Sequence, residues 1–162
     1  MAEGRHGVLF VCTGNICRSP TAEGVFLHMA KSRGVLERLR IDSAGTHDYH
    51  VGEPPDPRAI EHAARRGYDL SALRARQVAA ADFREFDRIL AMDRGHLRQL
   101  KALAPAGSPA RLDMFLDHSE SWRGLDVPDP YYGGSRGFEE VLDMVEDASA
   151  RLLEEILAGL AR

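Results

Sequence analysis

An open α/β domain, with a four-stranded parallel sheet and helices on both faces, is the fold this sequence predicts, and three observations carry it. An apolar run at Val8, Leu9, Phe10 and Val11 passes through a short loop directly into a helical pattern. Three further apolar runs follow at intervals long enough for crossover helices, which parallel strands require. The stretch from Phe138 to Leu160 repeats Val141, Leu142, Val145, Ala148, Leu152, Leu153, Ile156, Leu157 and Leu160 near one face, as a helix packed on a sheet does. Four β-plus-α units of this kind make one domain over residues 1–162, a length that supports one core of its own.

Taken in order, the first unit is GVLFVCTGNICRSPTAEGVF, from Gly7 to Phe26. Val, Leu and Phe before the loop favour a buried strand. Pro20 suits the first turn of a helix opening at Ser19, and Ala22, Val25, Phe26 and Met29 return at helical spacing until Gly34. Leu39 and Ile41 read as an edge strand that ends in the small polar string Asp42-Ser43-Ala44-Gly45-Thr46. The Pro-rich turn Glu53 to Pro57 feeds a helix from about Arg58 to Arg66, closed by Gly67. Phe83, Phe86, Ile89, Leu90, Ala91 and Met92 form a third apolar run, read as a buried strand. Asp93 is placed to cap a helix from Arg94 to Leu103 by accepting a backbone N–H. Leu112, Met114, Phe115 and Leu116 mark a fourth strand, and Asp126 to Gly134, with two prolines, two tyrosines and two glycines, reads as an ordered loop.

The loop after the first strand carries the chemistry. Cys12 and Arg18 stand at C-x5-R spacing between a strand and a helix N-terminus, where backbone N–H groups and the helix dipole converge on one point. Such a cup, formed by Thr13, Gly14, Asn15, Ile16, Cys17, Arg18 and Ser19, fits a phosphate-sized anion. Arg18 can grip two anion oxygens with a planar fork. The thiolate of Cys12 is the form this electropositive cup stabilises, and a thiolate beneath a bound phosphoryl group is an in-line nucleophile. Gly14 and Asn15 are residue types that tolerate left-handed backbone angles. No Walker G-K-[ST] and no G-x-G-x-x-G is present, so nucleotide and dinucleotide loops are excluded.

Composition narrows the field. Apolar residues at 44% and charged residues at 28% are those of an ordinary globular domain, and a net charge of -4 gives no overall pull toward nucleic acid or anionic membrane. The apolar stretch near Arg5 and His6 is too short for a signal peptide or a membrane span, which points to the cytoplasm. The two cysteines, Cys12 and Cys17, lie in one loop, so reduced thiols are expected. No metal is implied, because His28, His62, His96 and His118 are scattered without ligand spacing.

The string V-C-T-G-N-I-C-R-S-P, with Asp42-Ser43-Ala44-Gly45-Thr46, Pro57-Arg58-Ala59, Ala75-Arg76-Gln77, Leu90-Ala91-Met92-Asp93 and Asp129-Pro130-Tyr131-Tyr132-Gly133, resembles the low-molecular-weight protein tyrosine phosphatases over nearly the whole chain. The resemblance implies a flavodoxin-like three-layer sandwich and hydrolysis of phosphotyrosine and small aryl phosphates through a phosphocysteine intermediate, with no cofactor. By it, Cys12 is the nucleophile, Arg18 the phosphate clamp and Asp129 the general acid. Ser19 donates to the Cys12 thiolate, Asn15 and Ser43 hold the loop open, and Tyr49, with Tyr131 and Tyr132, walls the slot for a phenyl ring. Cys17 is then the partner of Cys12 in a protective, reversible disulfide. Partners are phosphotyrosine proteins and a tyrosine kinase, with inorganic phosphate as product and weak ligand. Asp126 is the nearby competitor for the acid, assigned instead to loop structure by the D-P-Y-Y context. The family commonly has a His, which helps order the catalytic loop, where this chain has Leu73.

Three other readings use the same cup. A protein arginine phosphatase would, by resemblance, carry Thr where Ile16 stands. An arsenate reductase would need cysteines beyond Cys17. A non-catalytic phosphate-binding module would need neither Cys12 nor Asp129.

Overall fold

A computed structural model describes residues 4–131 and 134–161. Among these residues the chain forms β1 (His6–Cys12), α1 (Arg18–Ser32), β2 (Leu39–Gly45), α2 (Pro57–Arg65), α3 (Asp82–Glu85), β3 (Arg88–Ala91), α4 (Arg94–Leu103), β4 (Arg111–Met114) and α5 (Ser135–Leu160). The strands make one parallel sheet in the order β2-β1-β3-β4, with helices on both faces, a flavodoxin-like arrangement.

The period of two along β1 sorts its side chains onto two cores. Val8 and Phe10 face the side covered by α1 and α5, where Phe10 meets Phe26 and Phe115 edge-on at 5.5 and 5.3 Å. Leu9 and Val11 face the other side with Phe83, Phe86, Ile89 and Leu100. Both faces of β1 are therefore dry up to its end at Cys12. The stripe predicted on α5 is buried from Val141 to Ile156.

Two boundaries differ from the sequence reading. The third apolar run is split: the strand spans only Arg88–Ala91, and Phe83 sits on the single turn α3. Asp82 there accepts the Ala79 N–H at 2.8 Å, while Phe83 and Phe86 share a face at helical spacing. In the fourth run the strand stops at Met114, and Phe115–His118 turn as a 3-10 helix that drops Phe115 and Leu116 into the larger core.

β1 pairs with β2 on one side and β3 on the other, so the chain reverses its order of travel at β1. A crevice opens at the carboxyl ends of strands at such a switch point, and the loop from Cys12 to Arg18 occupies it.

Candidate active site

The loop curls from Cys12 at the end of β1 to Arg18 at the start of α1. Its backbone is pinned from outside: Thr46 N–H donates to the Cys12 carbonyl at 2.9 Å, His47 N–H to Thr13 at 3.0 Å and Asp56 N–H to Ile16 at 2.8 Å. Asn15 takes the left-handed angle anticipated for the curl, with φ of 59°. Gly14 does not. A Cβ there would lie 2.9 Å from the His50 ring, which would have to shift to admit it. Gly45 is required more strictly, because its Cβ would meet the Thr13 carbonyl oxygen, a backbone atom, at 2.6 Å. The end of β2 thus lies hard against the loop.

Asn15 is the internal brace. Its Nδ2 donates to Ser19 Oγ at 2.8 Å and to Ser43 Oγ at 2.9 Å, and its Oδ1 accepts the Arg76 backbone N–H at 3.0 Å. Ser19 Oγ stands 3.0 Å from Cys12 Sγ. Leu73 packs against the larger core and takes no part in these bonds. A main-chain donor from residue 76 supplies order to the loop, which side-chain reading does not anticipate.

Arg18 is 4% exposed. Its Nη1 donates to Asp93 Oδ2 at 2.9 Å and to the Val127 carbonyl at 3.1 Å, and its Nη2 to Thr13 Oγ1 at 3.4 Å. Asp93 does cap α4, as expected, accepting the His96 N–H on Oδ1 at 2.9 Å. Its other oxygen aims the guanidinium, a second duty absent from the sequence reading. Burial opposes ionisation of Asp93, but the His96 N–H and the Arg18 charge outweigh it and hold the carboxyl below its usual range. His96 is buried behind Thr13, with Nε2 at 2.8 Å from Oγ1 and Nδ1 at 3.2 Å from Asp93 Oδ1. Burial, then the Arg18 charge, push its pKa down to about 4, so the ring is neutral near pH 7. The ring makes its one side-chain hydrogen bond with Thr13, while Nδ1 is buried without a hydrogen-bond partner among the described residues.

Over the cup lies a cavity of about 200 Å³ lined by the loop, Tyr49, His50, Asp129 and Tyr131. Asp129 is partly exposed, accepts the Tyr131 N–H at 3.0 Å, and sits 3.7 Å from the Arg18 guanidinium. Tyr49 is 66% exposed and stacks on His47 at 4.9 Å. Tyr131 lies near His50 and beneath the Arg58 guanidinium. Tyr132 falls outside the described residues. Asp126 points away to Arg94, accepting its N–H at 3.2 Å, as loop structure should. Sequence reading does not single out His50, because only the fold brings its ring beside Gly14.

Cys12 and Cys17 are both buried free thiols. Burial, with the Asp56 carboxylate beside it, pushes the Cys17 thiol far up, so it stays protonated. No set of three metal-ligating side chains is gathered among the described residues, and none of their helices is long and apolar enough to cross a membrane.

The buried Cys12 thiol, the buried Arg18 guanidinium and the Asp129 carboxyl border one cavity at the carboxyl end of β1. Residues 7–161 match the family model for low molecular weight phosphotyrosine protein phosphatase, and the chain belongs to that family. It is 48% identical over 152 residues to the low molecular weight protein-tyrosine-phosphatase of Streptomyces coelicolor, covering 92% of each chain. The fold matches a protein tyrosine phosphatase of Entamoeba histolytica with a TM-score of 0.91 at 38% identity, covering 95% of this chain and 98% of that one. It also matches the Drosophila arginine phosphatase, with a TM-score of 0.86 at 30% identity over 92% of this chain and 96% of that one.

Proposed function

We propose that this chain is a metal-independent phosphatase that hydrolyses phosphotyrosine in proteins, and small aryl phosphate monoesters, through a phosphocysteine intermediate. The observation that carries this reading is the alignment of Cys12, Arg18 and Asp129 around one cavity at the carboxyl end of β1. The phosphoryl oxygens sit among the N–H groups of Thr13 to Arg18 and the Arg18 fork, donors already in place where charge must be held. The Cys12 thiolate attacks phosphorus; the S–P bond forms as the P–O bond to the tyrosine breaks. Asp129 gives its proton to that oxygen, since a phenol of pKa about 10 leaves poorly as a bare anion. Water then attacks the phosphocysteine, Asp129 takes its proton, and phosphate departs as the thiolate returns.

Ser19 supports the thiolate by donating its hydroxyl hydrogen, and Asn15 with Ser43 keeps the cup open. Tyr49 and Tyr131 flank a flat ring at the mouth, a role that extends to Tyr132. Cys17 serves as the second thiol of a reversible disulfide with Cys12. On this reading the enzyme works in the cytoplasm on substrates that a tyrosine kinase supplies.

Hydrolysis of a phosphotyrosine peptide, beside phosphoarginine and phosphoserine, in chelated buffer is the test. Wild type should release phosphate from phosphotyrosine, Cys12→Ser should release none, and Asp129→Ala should be slower by roughly 10^2 to 10^4. Preference for phosphoarginine would reassign the substrate and the meaning of Ile16, while sulfate binding without turnover would leave only an anion-binding module.

A further inference from the structure

Glu23 lies on α1, is 7% exposed, and has no task in phosphoryl transfer as described above. Its Oε1 accepts the Ser43 hydroxyl at 2.6 Å. From there the bonds run inward: Asn15 Nδ2 to Ser43 at 2.9 Å, Asn15 Nδ2 to Ser19 at 2.8 Å, and Ser19 to Cys12 Sγ at 3.0 Å. A hydroxyl has one proton, so each bond fixes the direction of the next. The Arg76 N–H on Oδ1 orients the Asn15 amide, and with the Ser43 proton committed to Glu23 the Ser43 oxygen is left to accept from Nδ2. Ser19 accepts the other Asn15 hydrogen and keeps its own proton for Sγ, the Ala44 carbonyl at 3.4 Å being the longer alternative.

We propose that Glu23 is a positioning residue: as a carboxylate it strengthens the hydrogen bonds from Ser43 through Asn15 to Ser19 and Cys12, and its protonation slackens them. This rests on Cys12 being the nucleophile. A bond to a carboxylate is about twice as strong as one to a neutral acceptor, and a chain of bonds polarises along its length. A protonated Glu23 keeps a carbonyl oxygen for Ser43 but loses that charge assistance, and its own O–H becomes a competing donor.

The charged groups facing Glu23 are Asp42 from β2 and Arg76 from the segment between α2 and α3. Burial, the largest influence, raises the carboxyl to about 7, against the pull of the Ser43 bond; Asp42 adds to the rise and Arg76 opposes it. Both forms are therefore populated near neutral pH. The sign for stability is the reverse of the sign for function. Between 4.5 and about 7 the folded state holds more protons than the unfolded chain, so stability falls as pH rises through that window. Ionised Glu23 tightens the loop while destabilising the fold.

The test compares wild type with Glu23→Gln, an isosteric stand-in for the protonated form. The ratio of wild-type to variant kcat on an aryl phosphate should be near one at about pH 5.5 and rise to roughly fivefold at about pH 8. Taking the ratio cancels titrations common to both proteins. At the higher pH the variant should also melt about 2 to 4 °C later, so activity and stability move in opposite directions. A ratio that stays flat with pH, or a variant that loses both together, overturns the proposal. Sulfate, doubly charged across this range, gives a readout free of turnover: the ratio of the two proteins' affinities should show the same pH step even if no phosphate ester is hydrolysed. If the Gln protein does not fold, Ser43→Ala takes its place: it removes the Asn15 acceptor as well, so the wild-type to variant ratio should already exceed one at about pH 5.5 and still rise toward pH 8, and a ratio flat with pH overturns the proposal.

Discussion

The two walls that hold the cup are alike in burial and opposite in charge logic. One wall, Asn15, Ser19 and Ser43, ends in a buried acid, Glu23, whose burial favours the protonated form. The other, Arg18 and Thr13, ends in a buried base, His96, whose burial favours the deprotonated form. Burial disfavours charge in both, so one pKa rises and the other falls. The difference teaches what each wall is for. Arg18 brings a permanent charge that Asp93 balances, and a neutral His96 adds no second cation to it. The Asn15 wall contains no permanent charge, so polarity must reach the thiol through hydrogen bonds.

Breaking the Asn15 wall should have the largest effect. Asn15→Ala removes three hydrogen bonds, two of them fully buried, and leaves an alanine at φ of 59°, and should lower stability by about 3 kcal/mol and kcat by about 10^2. Asn15→Gly sharpens the comparison: chemical denaturation should show part of the stability restored, as the backbone strain is relieved, with kcat still low. Equal recovery of both would mean that the backbone angle alone matters.

The other wall should answer to pH with a smaller effect. Between 6.5 and about 4 the unfolded chain binds more protons at His96 than the folded one, so this residue's contribution to stability is lost as pH falls through that window. In His96→Asn the loss on acidification should shrink, read as a gentler fall in melting temperature from pH 6.5 to pH 4. A slope as steep as that of wild type would place the titrating group elsewhere. Smallest of all should be the rim. Tyr49 is mostly solvent-exposed, so Tyr49→Ala should leave the melting temperature and kcat unchanged while raising KM for aryl phosphates about 2- to 12-fold. A fall in kcat instead would show that the rim also orients the phosphoryl group.

Much of this was legible in the sequence because the residues concerned announce themselves by type and spacing. Cys12, Arg18 and Ser19 lie within one short stretch, and the parallel pairing of four strands follows from crossover lengths. Asp93 was read correctly as a cap, since a cap is a local relation between a side chain and the next turn of helix. Its second bond, to Arg18 75 residues away, depends on the pairing of β1 with β3 and leaves no local trace. The Arg76 N–H that holds Asn15 is a main-chain group, which any residue but proline would supply. His96 and Glu23 were illegible for a related reason: the sequence reveals a titratable side chain but not the depth at which it is buried. The α3 turn was missed because phenylalanines three apart serve a strand or a helix equally well.

The position of the cup at the sheet's switch point has a kinetic corollary. Its bonds join Asn15 to Ser43 across 28 residues, Arg18 to Asp93 across 75 and Arg18 to Val127 across 109. Contacts of such separation close late, after the ordering of much of the chain between them. In a refolding experiment catalytic turnover should therefore be among the last signals to return, behind helical circular dichroism, and a newly synthesised chain acquires its chemistry only once the segment carrying Val127 and Asp129 has been made.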